Sequence, residues 1–141
     1  MSASGPIIII EDDPDDKEIF EEVLKELGIL NKLVWLINAP DAFTYLKTTE
    51  EQPFLIICDI NLPVQNGIEF KRQVDNDPQL RKKSIPFIFF TTAVQQSAVN
   101  EAYIHLTVQG FFQKSSNYEN SRKAIKIIFD YWNLCRHPNS F

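Results

Sequence analysis

The sequence predicts an α/β fold, a doubly wound parallel sheet of five strands with helices on both faces. Short apolar runs alternate strictly, five times, with segments of helical periodicity along the 141 residues. The runs are continuous and lack period-two alternation, which is typical of parallel strands buried on both faces. The sequence contains no repeats or linkers, so we expect one domain over 1–141. Its core should span about 7–134, with an irregular N-terminus and C-terminal tail.

The first predicted unit is the strand IIII at residues 7–10 with the helix that follows it. Asp13 is a typical N-capping residue, and Pro14 suits the first position of a helix. Gly28 marks the end of this helix. The apolar side chains of the helix fall on one stripe, and they are Ile19, Phe20, Val23, Leu24 and Leu27.

The middle of the chain supplies two further strand and helix pairs. KLVWLI at 32–37 is the second predicted strand, and DAFTYLK at 41–47 is a short helix capped by Asp41. FLIICD at 54–59 is the third strand, and GIEFKRQV at 67–74 is the third helix.

A polar stretch separates the third helix from the fourth strand. This stretch, DNDPQLRKKS at 75–84, is predicted to be a loop. IPFIFFT at 85–91 is the fourth strand, and Pro86 is tolerated because it lies at the strand's start. The helix predicted over 95–106 has a weaker apolar pattern than the others.

The final unit is the strand VQGFFQK at 108–114 and a long helix that runs to about Leu134. Ser116 and Glu119 have the spacing of a capping box, in which each side chain satisfies a backbone N–H of the other's residue. They predict where this last helix begins.

Composition and charge exclude several classes of protein. The net charge of -5 does not favour binding to nucleic acid or to an anionic membrane. No apolar run approaches the roughly 18 residues of a membrane span. There are two cysteines, Cys58 in a predicted core strand and Cys135 near the C-terminus, and they indicate neither a disulfide framework nor a metal cluster. We therefore expect a reduced, cytoplasmic protein.

Polar side chains follow four of the predicted strands at the points where these strands end. In an open parallel sheet the carboxyl ends of the strands share one edge, where binding sites form. The side chains brought to this edge are Glu11, Asp12, Asp13, Asp59, Thr91, Thr92 and Lys114. Because several carboxylates in a small site repel one another, the cluster calls for a cation, and oxygen ligands suit Mg²⁺.

Such a site is suited to phosphoryl transfer. A cation would neutralise the transferring group, Lys114 would pair with it and Thr92 would donate a hydrogen bond to it. Asp59 could itself be the nucleophile, which would give an aspartyl phosphate. Singly, a strand-end acid or lysine is most often a helix cap or a solvated side chain, so the hypothesis depends on the whole set.

Four segments, IIIIEDD, CDINLPVQNG, FFTTA and GFFQK, resemble the receiver domain of two-component response regulators. The resemblance extends from about Ile7 to Leu134. It implies the flavodoxin-like (βα)5 fold with strand order 2-1-3-4-5. It also implies a phospho-acceptor protein of signal transduction rather than an enzyme, one that takes its phosphoryl group from a sensor histidine kinase or a phosphotransfer protein in a phosphorelay.

The resemblance assigns phosphorylation and metal binding to particular residues. Asp59 would be phosphorylated. Glu11 and Asp12 would form the acidic pair, with Asp12 binding Mg²⁺ directly and Glu11 acting through water. Asp59 and the backbone carbonyl of Asn61 would complete the protein ligands. Asp13, one place beyond the acidic pair, is interpreted as a helix cap.

The resemblance also assigns the residues that would respond to phosphorylation. Thr92, rather than Thr91, matches the switch hydroxyl because it directly precedes the small Ala93. Lys114 matches the lysine that pairs with the phosphoryl group. Phe111, three residues earlier, matches the aromatic switch position.

The segments DINLP, TTA and QKSSNYENSRKAIKIIFDYW further resemble small stand-alone regulators that are paired with bacterial phytochrome kinases. The implied partner is therefore a kinase of that type. No output domain follows in the sequence, so we expect the output to be a protein contact. The helix at 95–106, the strand at 108–114 and the last helix, with Tyr131 and Trp132, would form the switching face and a candidate homodimer face.

Two positions depart from the wider family or tune its chemistry. A proline with a cis bond usually follows the lysine, whereas this chain has Ser115. Because a cis bond before a non-proline residue costs about 2.5–4 kcal/mol, we predict a trans Lys114–Ser115 bond. Asn61 and Val94 occupy the positions that tune phosphate lifetime. Since Val94 cannot orient an attacking water, we predict slow autodephosphorylation.

Other functions remain open at this point. A flavodoxin-like cofactor binder would need a phosphate-binding loop after the first strand, where this chain has EDDPDD. An aspartyl phosphatase would need a second acid two residues after its nucleophile, where this chain has Asn61. A degenerate receiver that acts only as an interaction module would not need the complete set of acids, threonine and lysine.

Overall fold

The computed structural model describes residues 4–92 and 95–135, and it contains a five-stranded parallel sheet. The strands are β1 Ile7–Ile10, β2 Leu33–Leu36, β3 Leu55–Cys58, β4 Phe87–Thr91 and β5 Gly110–Gln113. Their order across the sheet, β2-β1-β3-β4-β5, confirms the expected 2-1-3-4-5 arrangement. The helices of the described residues are α1 Pro14–Glu26, α2 Ala39–Thr48, α3 Gly67–Asn76, α4 Pro78–Lys83, α5 Gln96–His105 and α6 Tyr118–Leu134.

The sheet is covered on both faces, as the continuous apolar strands predict. Successive strand side chains point to opposite faces, so each strand contributes to two cores. One core contains Ile8, Ile10, Ile56 and Cys58 together with residues of α2, α3, α4 and α5. The other contains Ile7, Ile9, Leu55 and Ile57 together with residues of α1 and α6.

Helix α1 begins and ends as the sequence predicts. The side chain of Asp13 accepts a hydrogen bond from the backbone N–H of Asp15, and Pro14 occupies the first turn. Gly28 follows the helix with a φ of +70°, a left-handed conformation that glycine adopts without the steric cost of a Cβ. The helix therefore starts directly after the carboxyl end of β1.

The loop predicted over 75–84 is wrong, because these residues hold the end of α3 and the short helix α4. The carboxylate of Asp77 caps α4 by accepting a hydrogen bond from the N–H of Leu80, and Pro78 occupies its first turn. Leu80 is the one apolar residue of this helix and is buried. A helix with a single apolar residue has no stripe that periodicity can detect.

Two predicted caps are also wrong. Asn38, not Asp41, caps α2, since its side-chain oxygen accepts a hydrogen bond from the N–H of Asp41. Asn117, not Ser116, caps α6, and it accepts from the N–H groups of Glu119 and Asn120. In both cases more than one capping-type residue lies within three positions of the helix start, and propensity alone does not choose among them.

None of the helices within residues 4–92 and 95–135 combines the length and hydropathy needed to cross a membrane. The predictions for the first three residues, for Ala93 and Val94 and for the tail 136–141 lie outside the described residues.

Candidate functional site

Three carboxylates meet at the carboxyl edge of the sheet. β1 and β3 are adjacent, with Ile10 paired with Cys58, so the next residues, Glu11 and Asp59, emerge side by side. One oxygen atom from each of Glu11, Asp12 and Asp59 lies within 4.8 Å of the others. Glu11 and Asp59 are only 3% and 5% exposed, whereas Asp12 is exposed to solvent. The predicted acidic cluster is therefore present, with one side open.

The Asp59 carboxylate is held by three donors. Its Oδ1 accepts hydrogen bonds from the backbone N–H of Asn61 at 3.0 Å and from the hydroxyl of Thr91 at 2.5 Å. Its Oδ2 accepts from Lys114 Nζ at 3.1 Å. Burial alone would raise the pKa of Asp59, but the Thr91 hydrogen bond and the Lys114 charge lower it below its ordinary value. Asp59 is thus an ionised, oriented carboxylate.

Lys114 joins the acids from the end of β5. Its Nζ donates to Glu11 Oε2 at 2.6 Å and to Asp16 Oδ2 at 2.8 Å, in addition to Asp59. Burial would lower the pKa of this ammonium, but the carboxylates of Asp16 and Glu11 outweigh burial and raise it. The lysine is therefore charged, and its position is fixed by three anions.

Asp16 was not among the predicted site residues. The run EDDPDD offers five acids within six positions, of which the first two are predicted to form the acidic pair and Asp13 to cap the helix. Asp16 precedes Ile19 and Phe20 by three and four residues, so it lies on the same helical stripe as these apolar side chains. That periodicity was the signal that could have identified it.

Glu11 is the most strongly perturbed acid of the cluster. Its burial, reinforced by the nearby charge of Asp59 and opposed by Lys114, raises its pKa to about 8. Its Oε1 accepts a hydrogen bond from the backbone N–H of Asp13 at 3.1 Å. Without a cation, the cluster therefore tends to hold a proton on Glu11 at neutral pH, because two adjacent buried carboxylates cannot both ionise without cost.

The two threonines at the end of β4, Thr91 within the strand and Thr92 directly after it, occupy different environments. Thr91 is fully buried, and its hydroxyl is the one that donates to Asp59. Thr92 is exposed, and its hydroxyl oxygen lies 3.3 Å from the side-chain nitrogen of Asn61, which donates to it. The switch role predicted for Thr92 concerns the phosphorylated protein and stays a prediction. Ala93, on which that alignment rests, lies outside the described residues.

The loop from β3 to α3 passes close to the acceptor and is held by Gly67. The N–H of Gly67 donates to the carbonyl of Ile60 at 2.9 Å. A Cβ at position 67 would lie 2.3 Å from the carbonyl oxygen of Asp59, a distance that no side chain could occupy. The glycine in the quoted motif CDINLPVQNG therefore allows α3 to begin against the backbone of the acceptor residue.

Phe111 lies on β5, which is separated by β4 from β3, the strand that precedes the acceptor Asp59. It is partly buried, and its ring centroid lies 5.4 Å from that of Phe89. A surface cavity of about 340 Å³ adjoins it between α5, β5 and α6. Its lining includes exposed apolar side chains from both helices, namely Tyr103, Ile127 and Tyr131. The peptide bond between Lys114 and Ser115 is trans, as predicted.

Comparison with known proteins identifies the family of this fold and site. A family model described as the response regulator receiver domain matches residues 7–126. The response regulator Rcp1 of Synechocystis sp. is 30% identical over 131 residues, which is 89% of this chain and 87% of that protein.

Two solved structures share the fold over nearly the whole chain. The phosphorylated cyanobacterial phytochrome response regulator RcpA superposes with a TM-score of 0.86 at 25% identity, covering 95% of this chain and 98% of that one. The Mn²⁺-bound form of Rcp1 gives a TM-score of 0.83 at 29% identity, covering 94% and 98%. With the acidic pocket at Asp59, these matches do not favour a flavodoxin-like binder or a degenerate receiver. The chain belongs to the response regulator receiver domain family.

Proposed function

We propose that Asp59 accepts a phosphoryl group from a phosphohistidine, with Mg²⁺ bound, and that this switches a protein-interaction face. Receiver domains of two-component systems are signalling proteins that receive phosphoryl groups from histidine kinases. One observation carries the assignment to Asp59. Of the two carboxylates that lie in the three-acid cluster and contact Lys114 Nζ, those of Glu11 and Asp59, Asp59 is the one whose pKa is lowered and which is therefore ionised.

The transfer requires a nucleophile and stabilisation of negative charge. An oxygen of Asp59 would form a bond to phosphorus while the phosphorus–nitrogen bond of the donor breaks. The imidazole nitrogen leaves with the electron pair of that bond. Lys114 would stabilise the charge on the phosphoryl oxygens, since its Nζ already lies beside the acceptor. No general base is needed, because the lowered pKa keeps Asp59 ionised.

The cluster fits a hard divalent cation. We propose that Asp12, Asp59 and the carbonyl of Asn61 bind Mg²⁺ directly and that Glu11 acts through water. Carboxylate oxygens within 4.8 Å of one another support a metal site, and a Mn²⁺-bound form of the relative Rcp1 exists. When bound, the cation would neutralise part of the charge of the acids and of the incoming phosphoryl group.

The response would run from Thr92 to the face formed by α5, β5 and α6. Thr92 is exposed beside Asn61 and could turn to donate to the phosphoryl group, while the partly buried Phe111 turns inward. We propose that this face, with its exposed Tyr103 and Tyr131, then binds a partner or a second copy of the chain. The likeness to RcpA supports a phytochrome-type kinase as the phosphoryl donor.

Acetyl phosphate labelling tests the proposal directly. The wild-type chain should take up acid-labile phosphate only with a divalent cation present, and Asp59→Asn should abolish the labelling. Asp15→Asn removes an exposed acid of the first turn of α1 and should label normally. Labelling that persists in Asp59→Asn would refute the assignment. Transfer from purified histidine kinases of the host would identify the donor, and light-dependent transfer would support the phytochrome type.

A further inference from the structure

Lys114 has one partner that lies outside the strand-end acids. Glu11 and Asp59 follow β1 and β3, whereas Asp16 lies in the first turn of α1. Its Oδ2 accepts a hydrogen bond from Lys114 Nζ at 2.8 Å, which is shorter than the 3.1 Å contact from the same nitrogen to Asp59. A lysine ammonium has three N–H donors, and these contacts use all of them. Lys114 is therefore held both by the acids that follow β1 and β3 and by Asp16 on α1.

Asp16 differs from the other two partners because the cation site does not include it. Glu11 and Asp59 belong to the three carboxylates whose oxygens lie within 4.8 Å of one another, and Asp16 does not. A bound cation would withdraw charge from Glu11 and Asp59. A phosphoryl group on Asp59 would replace the present contact between its carboxylate and Lys114. Neither cation binding nor phosphorylation of Asp59 would remove the contact between Asp16 and Lys114.

We propose that Asp16 is a positioning residue for phosphoryl transfer, which holds Lys114 Nζ beside the acceptor while Glu11 and Asp59 engage the cation and the phosphoryl group. The inference rests on the proposed function of Asp59. It adds a residue on α1 to a site whose other acids, threonine and lysine follow strand ends.

The local structure supports a fixed, charged side chain at this position. Asp13 caps α1 and Pro14 begins it, so the backbone of Asp16 is anchored within the first turn. The free N–H groups of that turn favour a negative charge. The side chain of Asp16 is 26% exposed, compared with 7% for Lys114, so it can change without creating a buried cavity.

A purely structural role predicts something different. An acid in the first turn of a helix stabilises the helix whether or not it contacts a lysine. Asp15 provides the matched control because it lies in the same turn, carries the same charge and is exposed. If Asp16 only stabilised α1, Asp16→Asn and Asp15→Asn would have the same effects on the phosphorylation site.

The first test observes Lys114 itself in the resting protein without metal. ¹⁵N-detected NMR of the lysine ammonium groups, with Lys114 assigned by Lys114→Ala, should show a signal protected from solvent exchange. We expect Asp16→Asn to speed this exchange, Asp15→Asn to leave it unchanged and Asp16→Glu to restore part of the protection. Equal exchange in Asp16→Asn and wild type would overturn the proposal.

The second test measures affinity for a phosphoryl mimic, using calorimetric titration of the Mg²⁺-saturated protein with beryllofluoride. Asp16→Asn should weaken binding about tenfold, as expected for loss of one charge-assisted contact. Asp15→Asn should change it less than about twofold. In a Lys114→Ala background, Asp16→Asn should have no further effect, because the contact it removes no longer exists.

The outcomes separate this inference from the function on which it rests. Equal effects of Asp16→Asn in the wild-type and Lys114→Ala backgrounds would overturn the role of Asp16 while leaving Asp59 as the acceptor. Absence of any Mg²⁺-dependent beryllofluoride binding by the wild-type chain would overturn the proposed function and the inference together.

Discussion

The indole N–H of Trp35 donates a hydrogen bond to the backbone carbonyl of Glu11 at 2.6 Å. Trp35 lies on β2, next to β1 in the sheet, and Lys17 Nζ lies 4.5 Å from the centre of its ring. One tryptophan is therefore attached to the backbone of an acid in the proposed cation site. The other, Trp132, lies near the end of α6.

This contact predicts an intrinsic fluorescence signal for cation binding. Titration with Mg²⁺ should change the emission of the wild-type protein, because charge in the cluster alters the environment of the indole. The change should survive in Trp132→Phe and disappear in Trp35→Phe, while calorimetry shows that Trp35→Phe still binds Mg²⁺. An undiminished signal in Trp35→Phe would show that the indole does not sense the site.

The acceptor position could be predicted from sequence because parallel strands deliver their ends to one edge. The continuous apolar runs before Glu11 and Asp59 identified buried strands, and both acids lie where the register of β1 and β3 places them. Asp16 could not be selected in the same way. It is one of several acids in a helix start, where its place on the helical stripe of Ile19 and Phe20, and not a strand end, is the sequence signal, and its contact with Lys114 sets it apart from Asp15.

The buried pair Lys71–Asp75 was missed for a related reason. An i,i+4 lysine and aspartate on a helix is the usual pattern of a solvated face, yet here Lys71 is only 3% exposed. The pair contacts Thr107, which precedes β5, and Lys71 also lies over the ring of Phe87 on β4, and neither packing contact is visible in local periodicity. Sequence patterns thus located the side chains that strand ends position. They failed where burial depends on the tertiary packing of short segments.

Gly67→Ala should damage the site through the backbone of Asp59. The added methyl group would lie 2.3 Å from the carbonyl oxygen of Asp59, so the loop between β3 and α3 must move. We expect a loss of about 3 kcal/mol in the free energy of unfolding and reduced labelling by acetyl phosphate.

Gly28→Ala is the matched control for that substitution. Its added Cβ would meet no atom within 4 Å, and only the strain of a φ of +70° opposes it. It should cost about 1 kcal/mol in urea unfolding and leave labelling intact. Equal losses of stability and labelling in the two variants would contradict the role assigned to the close approach of Gly67.

The raised pKa of Glu11 predicts that the stability of the metal-free protein falls as the pH rises, while the stabilisation by Mg²⁺ increases. Folding raises this pKa from its ordinary 4.5 to about 8, so the stabilisation from holding the proton is lost as the pH rises through 8. Without metal, the melting temperature should fall between about pH 6 and about pH 8.5. Because a cation requires the ionised carboxylate, Mg²⁺ should raise the melting temperature more at the higher pH.

Glu11→Gln separates this effect from other titrations. The amide cannot ionise, so the metal-free variant should lose the fall in melting temperature between the two pH values. Differential scanning calorimetry at both pH values, with Mg²⁺ and with a chelator, measures all four conditions. A fall of the same size in Glu11→Gln and wild type would assign the pH dependence to another group.

The Lys71–Asp75 pair predicts an asymmetry between its two single substitutions. Lys71 Nζ donates to Asp75 Oδ1 at 2.8 Å, and Asp75 also accepts hydrogen bonds from the N–H and hydroxyl of Thr107. Asp75→Asn leaves a buried ammonium without its counter-charge and should cost about 3–5 kcal/mol in urea unfolding. Lys71→Met leaves a carboxylate that keeps two donors and a methionine close in volume to the lysine stem. It should therefore cost clearly less, and an equal or larger loss for Lys71→Met would contradict this account of how α3 is fixed to the start of β5.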